Sequence, residues 1–265
     1  MAMIRIKGIG LEIEPIDAPH GATGPTLVFL HEGLGSVAMW NRKQGSWPQA
    51  LCSTLGWPGL VFSRQGYGQS DPIPNVRGSG RHGADYMHRQ AWEVLPALLE
   101  RLGIESPVLV GHSDGGTIAL LHAARHPVRA CVVMAPHVKV EPVSIASIQA
   151  AKQAFEQGDL RQRLSRFHQD VDGAFWQWCD VWLSEAFSHF DIRDLCRQIT
   201  APVLAIQGQD DAYGTLAQIE EIVPLGPIER LVLPRCGHSP HRDQGEAVTQ
   251  AISRFLRSLA PTPQG

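Results

Sequence analysis

With 265 residues, of which 43% are hydrophobic and 18% charged, the chain is long enough to bury a full globular core. Its formal net charge of −3 gives no electrostatic basis for binding nucleic acid or an acidic membrane surface. The sequence predicts neither a signal peptide nor a membrane span. Five scattered cysteines without a C-x-x-C motif predict free thiols, not disulfides or a zinc site, so we expect a cytoplasmic protein.

Short apolar runs alternate with amphipathic segments along most of the chain. This pattern predicts an α/β fold with a mostly parallel sheet and helices on both of its faces. The first two runs are close together in sequence, and we expect them to pair as an antiparallel hairpin at the edge. One helix is predicted over Tyr86–Leu102, where Pro96 would introduce a kink, and a closing helix over Gln244–Leu259. The predicted strands are Ile4–Lys7, Leu11–Glu14, Thr26–Leu30, Leu60–Phe62, Val108–Val110, Cys131–Met134, Val203–Ile206 and Arg230–Leu233.

The alternation is interrupted before the strand at Val203, where four segments show helical periodicity without strand-like alternation. An all-helical insertion between two parallel strands is expected to cover their carboxyl ends, where ligands bind in open α/β sheets. We therefore predict a core of residues 1–136 and 200–260, a helical cap of residues 137–199, and a disordered tail of residues 261–265. The predicted cap helices are Ile145–Gln157, Leu160–His168, Val171–Phe187 and Ile192–Ile199.

The most specific motif is Gly-His-Ser-Asp-Gly at residues 111–115, between a predicted strand and a helix-like segment. The glycines permit a sharp turn, so the oxygen of Ser113 would stand clear of the sheet, as a nucleophile elbow requires. The helix N-terminus that follows offers free backbone N–H groups where an oxyanion would form. Ser113 is therefore the candidate nucleophile.

A serine becomes an effective nucleophile when a base accepts its proton, and the base needs an acid to orient it. Two later loops, each after a predicted strand, carry such partners: one contains Asp210 and Asp211, the other His238 and His241. Both loops are expected at the same sheet edge as Ser113. The histidines form no H-E-x-x-H or H-x-x-E-H motif, so we expect neither a metal nor a cofactor.

These motifs, in this order, resemble the α/β-hydrolase-fold superfamily, the class of serine hydrolases with a helical cap, over nearly the whole chain from Leu27. The resemblance implies an α/β-hydrolase fold with an eight-stranded, mostly parallel sheet and the inserted cap. It implies that Asp211, more than Asp210, is the acid. It also implies that His238, which follows a glycine, is the base, ahead of His241.

The same resemblance implies an oxyanion hole formed by the backbone N–H groups of Gly33 and Asp114. The chain departs from the family at Glu32, where glycine is usual, and at Ser63, where aspartate is usual. Glu32 is either a surface or salt-bridged residue, or it reaches the active site and acts on His112 or on the substrate. The three tryptophans of the cap either pack in its core or line a substrate cavity. The possible pocket residues are Glu32, His112, Trp176, Trp178 and Trp182.

We expect a cofactor-free serine hydrolase that cleaves a small carboxylic ester through an acyl-enzyme. The serine at the elbow argues against dehalogenase or epoxide hydrolase chemistry, which uses an aspartate there in this family. Lactone, thioester or C–C bond hydrolysis and prolyl aminopeptidase activity remain alternatives on the same triad, and a non-catalytic ligand-binding protein is the alternative outside enzymes. The expected partner is a small-molecule substrate, without nucleic acid or membrane, and the oligomeric state stays open.

Overall fold

A computed structural model describes residues 2–18, 24–42 and 45–259 of the chain. Eight strands of this described part form one sheet, and every predicted strand is present with ends shifted by at most two residues. They are β1 (Ala2–Ile6), β2 (Ile9–Ile16), β3 (Leu27–Leu30), β4 (Gly59–Phe62), β5 (Val108–His112), β6 (Ala130–Met134), β7 (Val203–Gly208) and β8 (Ile228–Leu233).

The strands follow the order β1-β2-β4-β3-β5-β6-β7-β8 across the sheet. The predicted edge hairpin is confirmed: β1 pairs antiparallel with β2, and its turn places Lys7 and Gly8 at positive φ. β2 also pairs antiparallel with β4, and all remaining neighbours are parallel. Because β3 to β8 are parallel, the loops that follow them share one edge of the sheet.

The five central strands, β3 to β7, are buried on both faces, as a parallel sheet requires. Successive residues of β5 belong to opposite core layers: Leu109 packs on one face, and Val108 and Val110 on the other. The closing helix covers the second face with Val248 and Phe255. No helix among residues 2–18, 24–42 and 45–259 has the length and apolarity needed to cross a bilayer. The helices outside the insertion are Trp47–Leu55, Tyr86–Arg89, Leu95–Leu102, Asp114–Ala123, Ala217–Glu220, Pro240–Asp243 and Gly245–Ser258, with a 3₁₀ turn at Val37–Trp40 and a two-residue ribbon pairing Asn41–Arg42 with Gly45–Ser46.

The helix predicted over Tyr86–Leu102 is present but changes its winding before Pro96. Its first turn is α-helical, residues Gln90–Val94 form a π-helical turn, and Leu95–Leu102 is again α-helical. Proline has no N–H to donate to the carbonyl four residues earlier, so the regular α-helical ladder cannot continue through it. Pro96 was expected to kink this helix, and the structure shows a π-helical turn just before it.

Between β6 and β7 the chain forms helical segments whose ends differ from the predicted ones. The second predicted helix ends at Leu164, and the third ends at Trp182 because Ser184 caps a separate 3₁₀ turn, accepting a bond from the Phe187 N–H. The cap boundaries, residues 137–199, stay a prediction, and the predicted disordered tail lies outside the described residues. The segments are Pro142–Gln157, Leu160–Leu164, Val171–Trp182, Glu185–His189 (3₁₀) and Arg193–Cys196.

Ser63 stands where the family usually has an aspartate, and its hydroxyl is hydrogen-bonded to a carboxylate of another strand. Glu12 in β2 is buried, and its Oε2 accepts bonds from the Ser63 hydroxyl at 2.7 Å and from the Gln69 N–H at 3.0 Å. The Ser63 oxygen in turn accepts a bond from the Val37 N–H at 2.9 Å. Glu12 and Ser63 therefore connect the loops after β3 and β4, which lie side by side.

We expect Glu12→Ala to lower the free energy of unfolding by roughly 1–3 kcal/mol, because the buried Ser63 hydroxyl and the partly buried Gln69 N–H lose their acceptor. Urea denaturation of the variant and the wild type measures this difference. Glu14→Ala is the matched control, since Glu14 lies two residues further along the same strand and is only partly buried. Equal losses in the two variants would show that the buried carboxylate has no special role.

Candidate active site

Ser113 occupies a sharp turn between β5 and the helix Asp114–Ala123. Its φ of 53° and ψ of −122° are unusual for a residue with a side chain. A Cβ at Gly111 would lie 2.3 Å from the Gly115 carbonyl oxygen, and a Cβ at Gly115 would lie 2.1 Å from the Leu30 carbonyl oxygen. Both glycines are therefore required by the close approach of backbone segments, and the turn has the shape predicted from the motif.

His238 lies between Ser113 and Asp211, although the three residues come from different loops. Its Nε2 is 3.0 Å from the Ser113 Oγ, and its Nδ1 is 2.9 Å from each carboxylate oxygen of Asp211. Asp211 follows β7 and His238 follows β8, so the shared sheet edge brings them together. This geometry allows the imidazole to accept the hydroxyl proton while the carboxylate holds its other nitrogen.

The Asp211 carboxylate is buried and surrounded by donors. Burial alone would raise its pKa, but the hydrogen bond and charge of His238, together with the Tyr213 N–H at 2.7 Å, hold the pKa below its usual value. The Gln207 amide donates a further bond at 2.7 Å. Asp210, the other candidate, is exposed to solvent.

Ser113 and His238 line a cavity of about 240 Å³ with predominantly apolar walls. Two of the three predicted tryptophans, Trp178 and Trp182, contribute to these walls. Trp176 does not line the cavity, which corrects its prediction as a pocket residue: its ring packs against Phe155 and beneath the Arg77 guanidinium. The walls also include Leu34, Met39, Ile148 and Leu164.

The model of the alpha/beta hydrolase family matches residues 27–251, most of the chain. The chain belongs to the alpha/beta hydrolase family. It is 28% identical to an sn-1-specific diacylglycerol lipase from Mus musculus, covering 89% of this chain and 82% of the lipase. It is 23% identical to a bifunctional esterase/perhydrolase from Acinetobacter calcoaceticus, covering 92% and 94%. The structure of an enol-lactonase from Burkholderia xenovorans has the same fold, with a TM-score of 0.73 at 19% identity over 97% of this chain and 100% of the lactonase.

Gly33, in the loop after β3 of this alpha/beta hydrolase, faces the same cavity as Ser113. A Cβ at this position would lie 2.2 Å from the Trp178 Nε1, so only glycine fits against the indole. Asp114, the other predicted oxyanion residue, also lines the cavity. Its buried side chain accepts a bond from the Tyr86 hydroxyl at 2.5 Å, and burial raises its pKa.

Two further rings, those of His137 and Tyr213, lie near His238, and neither was predicted from the sequence as a site residue. The ring centroid of His137 lies 5.7 Å from that of His238, and burial lowers the pKa of His137 to about 3, so it is neutral. His137 follows the carboxyl end of β6, at the same edge as the other site residues. Its position just after a parallel strand was the sequence feature that could have identified it as a site residue. Tyr213, two residues after Asp211, was missed in the same way, and its ring lies 4.7 Å from that of His238.

Two neutral histidines hold the loop that carries Gly33. The His31 Nε2 accepts a bond from the Arg64 N–H at 3.0 Å, and its Nδ1 is bonded to the Glu32 carbonyl at 2.7 Å. His168, from the helical insertion, accepts from the Gly68 N–H at its Nδ1 and donates from Nε2 to a loop carbonyl. Both rings need one unprotonated nitrogen, and burial lowers the pKa of each, that of His168 to about 4.

We expect the protein to lose stability as the pH falls from about 6.5 to 4. In this window His168 binds a proton in the unfolded state but not in the folded state. The free energy of unfolding therefore falls by on the order of 2–3 kcal/mol as the pH drops. Urea denaturation of His168→Gln should show a weaker dependence on pH than the wild type. His189→Gln, at an exposed histidine, should follow the wild type. A His168→Gln profile parallel to that of the wild type would contradict the prediction.

The last two predicted pocket residues, Glu32 and His112, contact each other. The Glu32 Oε2 lies 2.7 Å from the His112 Nδ1, and His112 is 1% exposed. Glu32 also borders the cavity. Glu32 is thus both ion-paired, with His112 and Arg242, and placed at the cavity, and its role there stays a prediction. Within the described chain, no group of three or more histidine, cysteine, aspartate or glutamate side chains is arranged to hold a metal ion.

Proposed function

We propose that this alpha/beta hydrolase is a serine hydrolase that cleaves a small carboxylic ester through an acyl-enzyme. The observation that carries the proposal is the position of His238 within hydrogen-bonding distance of both the Ser113 hydroxyl and the Asp211 carboxylate. A serine that can transfer its proton to an oriented imidazole is an activated nucleophile. It opens onto a cavity that could hold the substrate.

In the proposed reaction, the Ser113 oxygen attacks the ester carbonyl carbon while His238 accepts its proton. Asp211 holds the Nδ1–H and stabilises the imidazolium that forms. The backbone N–H groups of Gly33 and Asp114 bind the negative oxygen of the tetrahedral intermediate. His238 then protonates the leaving alcohol and later deprotonates the water that attacks the acyl carbon. It returns this proton to the Ser113 oxygen as the acid leaves.

The cavity supports a small and largely apolar substrate. About 240 Å³ lies below the usual range for drug-sized ligands, and most of the wall is aliphatic or aromatic. Two relatives that align over most of the chain are named an esterase/perhydrolase and a diacylglycerol lipase, which supports ester cleavage as the reaction class. All five cysteines are free and buried, which fits a reducing compartment and supports a cytoplasmic location.

The side chains around the cavity disfavour the aminopeptidase alternative. That reaction needs a carboxylate available for the substrate's amino group. Glu32 lines the cavity but is paired with His112 and Arg242, Glu141 is bonded to Thr215 and Gln218, and Asp180 is paired with Arg77. These carboxylates therefore already have partners within the protein.

A fluorophosphonate probe tests the proposal, because such probes react with activated serines. We expect the folded wild type to be labelled on the peptide containing Ser113, as read by mass spectrometry. His238→Gln should label at least about 10³-fold more slowly, since the base is lost. Heat-unfolded protein, in which the arrangement is destroyed, should not be labelled. Failure of the folded wild type to react would favour a non-catalytic binding protein.

A further inference from the structure

A second carboxylate–histidine pair lies directly behind Ser113 and takes no part in the proposed proton transfers. His112 is the last residue of β5, immediately before Ser113, and its ring is buried. Its Nδ1 lies 2.7 Å from the Glu32 Oε2, and its Nε2 lies 2.6 Å from the backbone carbonyl oxygen of His238. The pair thus contacts the main chain of the proposed base.

Hydrogen bonds at both nitrogens fix the orientation of the His112 ring. A carbonyl oxygen only accepts, so the His112 Nε2 must carry a hydrogen. Burial alone would raise the pKa of Glu32, but the charge and hydrogen bond of His112, with a smaller effect of Arg242, hold it well below its usual value. The carboxylate of Glu32 is therefore ionised and lies against the His112 ring.

His112 connects the proposed nucleophile, Ser113, to the main chain of the proposed base, His238. His112 is covalently bonded to Ser113, and the same residue is hydrogen-bonded to the main chain of His238. Misplacing reacting groups by about 1 Å can cost on the order of 100-fold in rate. A contact that fixes the distance between the strand of Ser113 and the loop of His238 is therefore important for catalysis.

We propose that Glu32 and His112 are positioning residues of this hydrolase: Glu32 fixes the His112 ring, which holds the His238 main chain so that its Nε2 stays within reach of the Ser113 hydroxyl. The inference rests on the proposed function. It gives a role to the residue that departs from the family pattern, since a glycine at position 32 could not reach His112. Glu32 acts through His112 and does not contact the reacting atoms.

Other ionisable groups surround the pair. Arg242 contributes an Nη2 at 3.5 Å from the Glu32 Oε1 and donates to the Met39 carbonyl at 2.9 Å. The ring of His241 lies 4.8 Å from that of His112, and the ring of His238 lies 5.2 Å away. Glu32 therefore contacts two of these groups directly, His112 and Arg242.

The test compares His112→Ala, Glu32→Ala, Glu32→Gln and the double alanine variant, using hydrolysis of p-nitrophenyl acetate and the rate of fluorophosphonate labelling. We expect either single alanine variant to lower kcat and the labelling rate together by roughly 10- to 100-fold, with KM nearly unchanged. Glutamine can still bond to the His112 ring, so Glu32→Gln should recover most of the rate. The double variant should be no slower than His112→Ala, because Glu32 acts through His112.

The ¹⁵N NMR shifts of the His112 ring provide a readout that does not depend on activity. The wild type should show the signal of a hydrogen-bonded Nδ1, and Glu32→Ala should move that signal, because the ring loses its carboxylate partner. Asp172→Asn is the matched control, since it breaks an exposed ion pair with Arg161 and should change neither the rates nor the His112 shifts.

Three results would overturn the proposal. They are unchanged rates in both alanine variants, multiplied losses in the double variant, or a raised KM with unchanged kcat in Glu32→Ala, which would indicate direct contact with substrate. Should His112→Ala fail to fold, the recovery of rate from Glu32→Ala to Glu32→Gln decides instead. A wild type that neither hydrolyses the ester nor reacts with the probe would overturn the hydrolase proposal itself, and the NMR shifts would still report on the Glu32–His112 pair.

Discussion

Ser113→Ala is expected to abolish ester hydrolysis, lowering kcat by roughly 10⁶-fold. The alanine removes the oxygen that attacks the carbonyl, and no acyl-enzyme can form. The turn should survive the change, because alanine carries the same Cβ as serine and the positive φ of residue 113 is already accommodated. Turnover of p-nitrophenyl acetate, with circular dichroism to verify folding, measures the effect.

Ser188→Ala provides the matched serine control. Ser188 is exposed in the 3₁₀ turn of the insertion, and its hydroxyl donates to the Glu185 carbonyl of the same turn. This variant should hydrolyse the ester at the wild-type rate. Residual activity of Ser113→Ala above about one part in a thousand would contradict the assignment of Ser113 as nucleophile.

Asp211→Asn is expected to lower kcat by about 10⁴-fold with a smaller effect on KM. Both oxygens of the native carboxylate lie 2.9 Å from the His238 Nδ1, which keeps the proton on that nitrogen and leaves Nε2 free to accept. An asparagine amide can donate a hydrogen to Nδ1 and favour the wrong tautomer. The kinetic measurement is again the turnover of p-nitrophenyl acetate.

Asp210→Asn is the matched control, because Asp210 is the other candidate for the acid that orients His238. Asp210 is exposed, and its backbone N–H bonds to the Cys236 carbonyl, so the side chain can change without disturbing the loop. We expect its activity to remain within about twofold of the wild type, as for most surface substitutions. If Asp210→Asn were the slower variant, the acid would be Asp210.

Most of the fold could be predicted from the sequence because the relevant signals are local. Apolar runs identified the eight strands, and the glycines at 111 and 115 identified the turn at Ser113. The parallel arrangement then brought the loops of Asp211 and His238 to the edge where Ser113 lies. Each step uses neighbouring residues and the general geometry of parallel sheets.

The errors arise where the outcome depends on contacts between distant segments. Trp178 and Trp182 are four residues apart and share a helix face, whereas Trp176 points elsewhere on the same helix and misses the cavity. The sequence did not reveal that Glu12 accepts a hydrogen bond from Ser63, because 51 residues separate them. Glu32 was ambiguous for the same reason, since it lies in the loop after β3 and its partner His112 lies in β5.

The two hydrogen bonds of His168 connect the insertion to the loops that follow β3 and β4. One ring from the insertion bonds to the Leu34 carbonyl and the Gly68 N–H, two groups of different core loops. A single side chain of the insertion thus spans two loops of the sheet edge, and one of these loops carries Gly33 at the cavity wall. The stability of the cavity wall and the packing of the insertion are therefore coupled: a substitution that removes the ring leaves polar backbone groups in both loops without their partner.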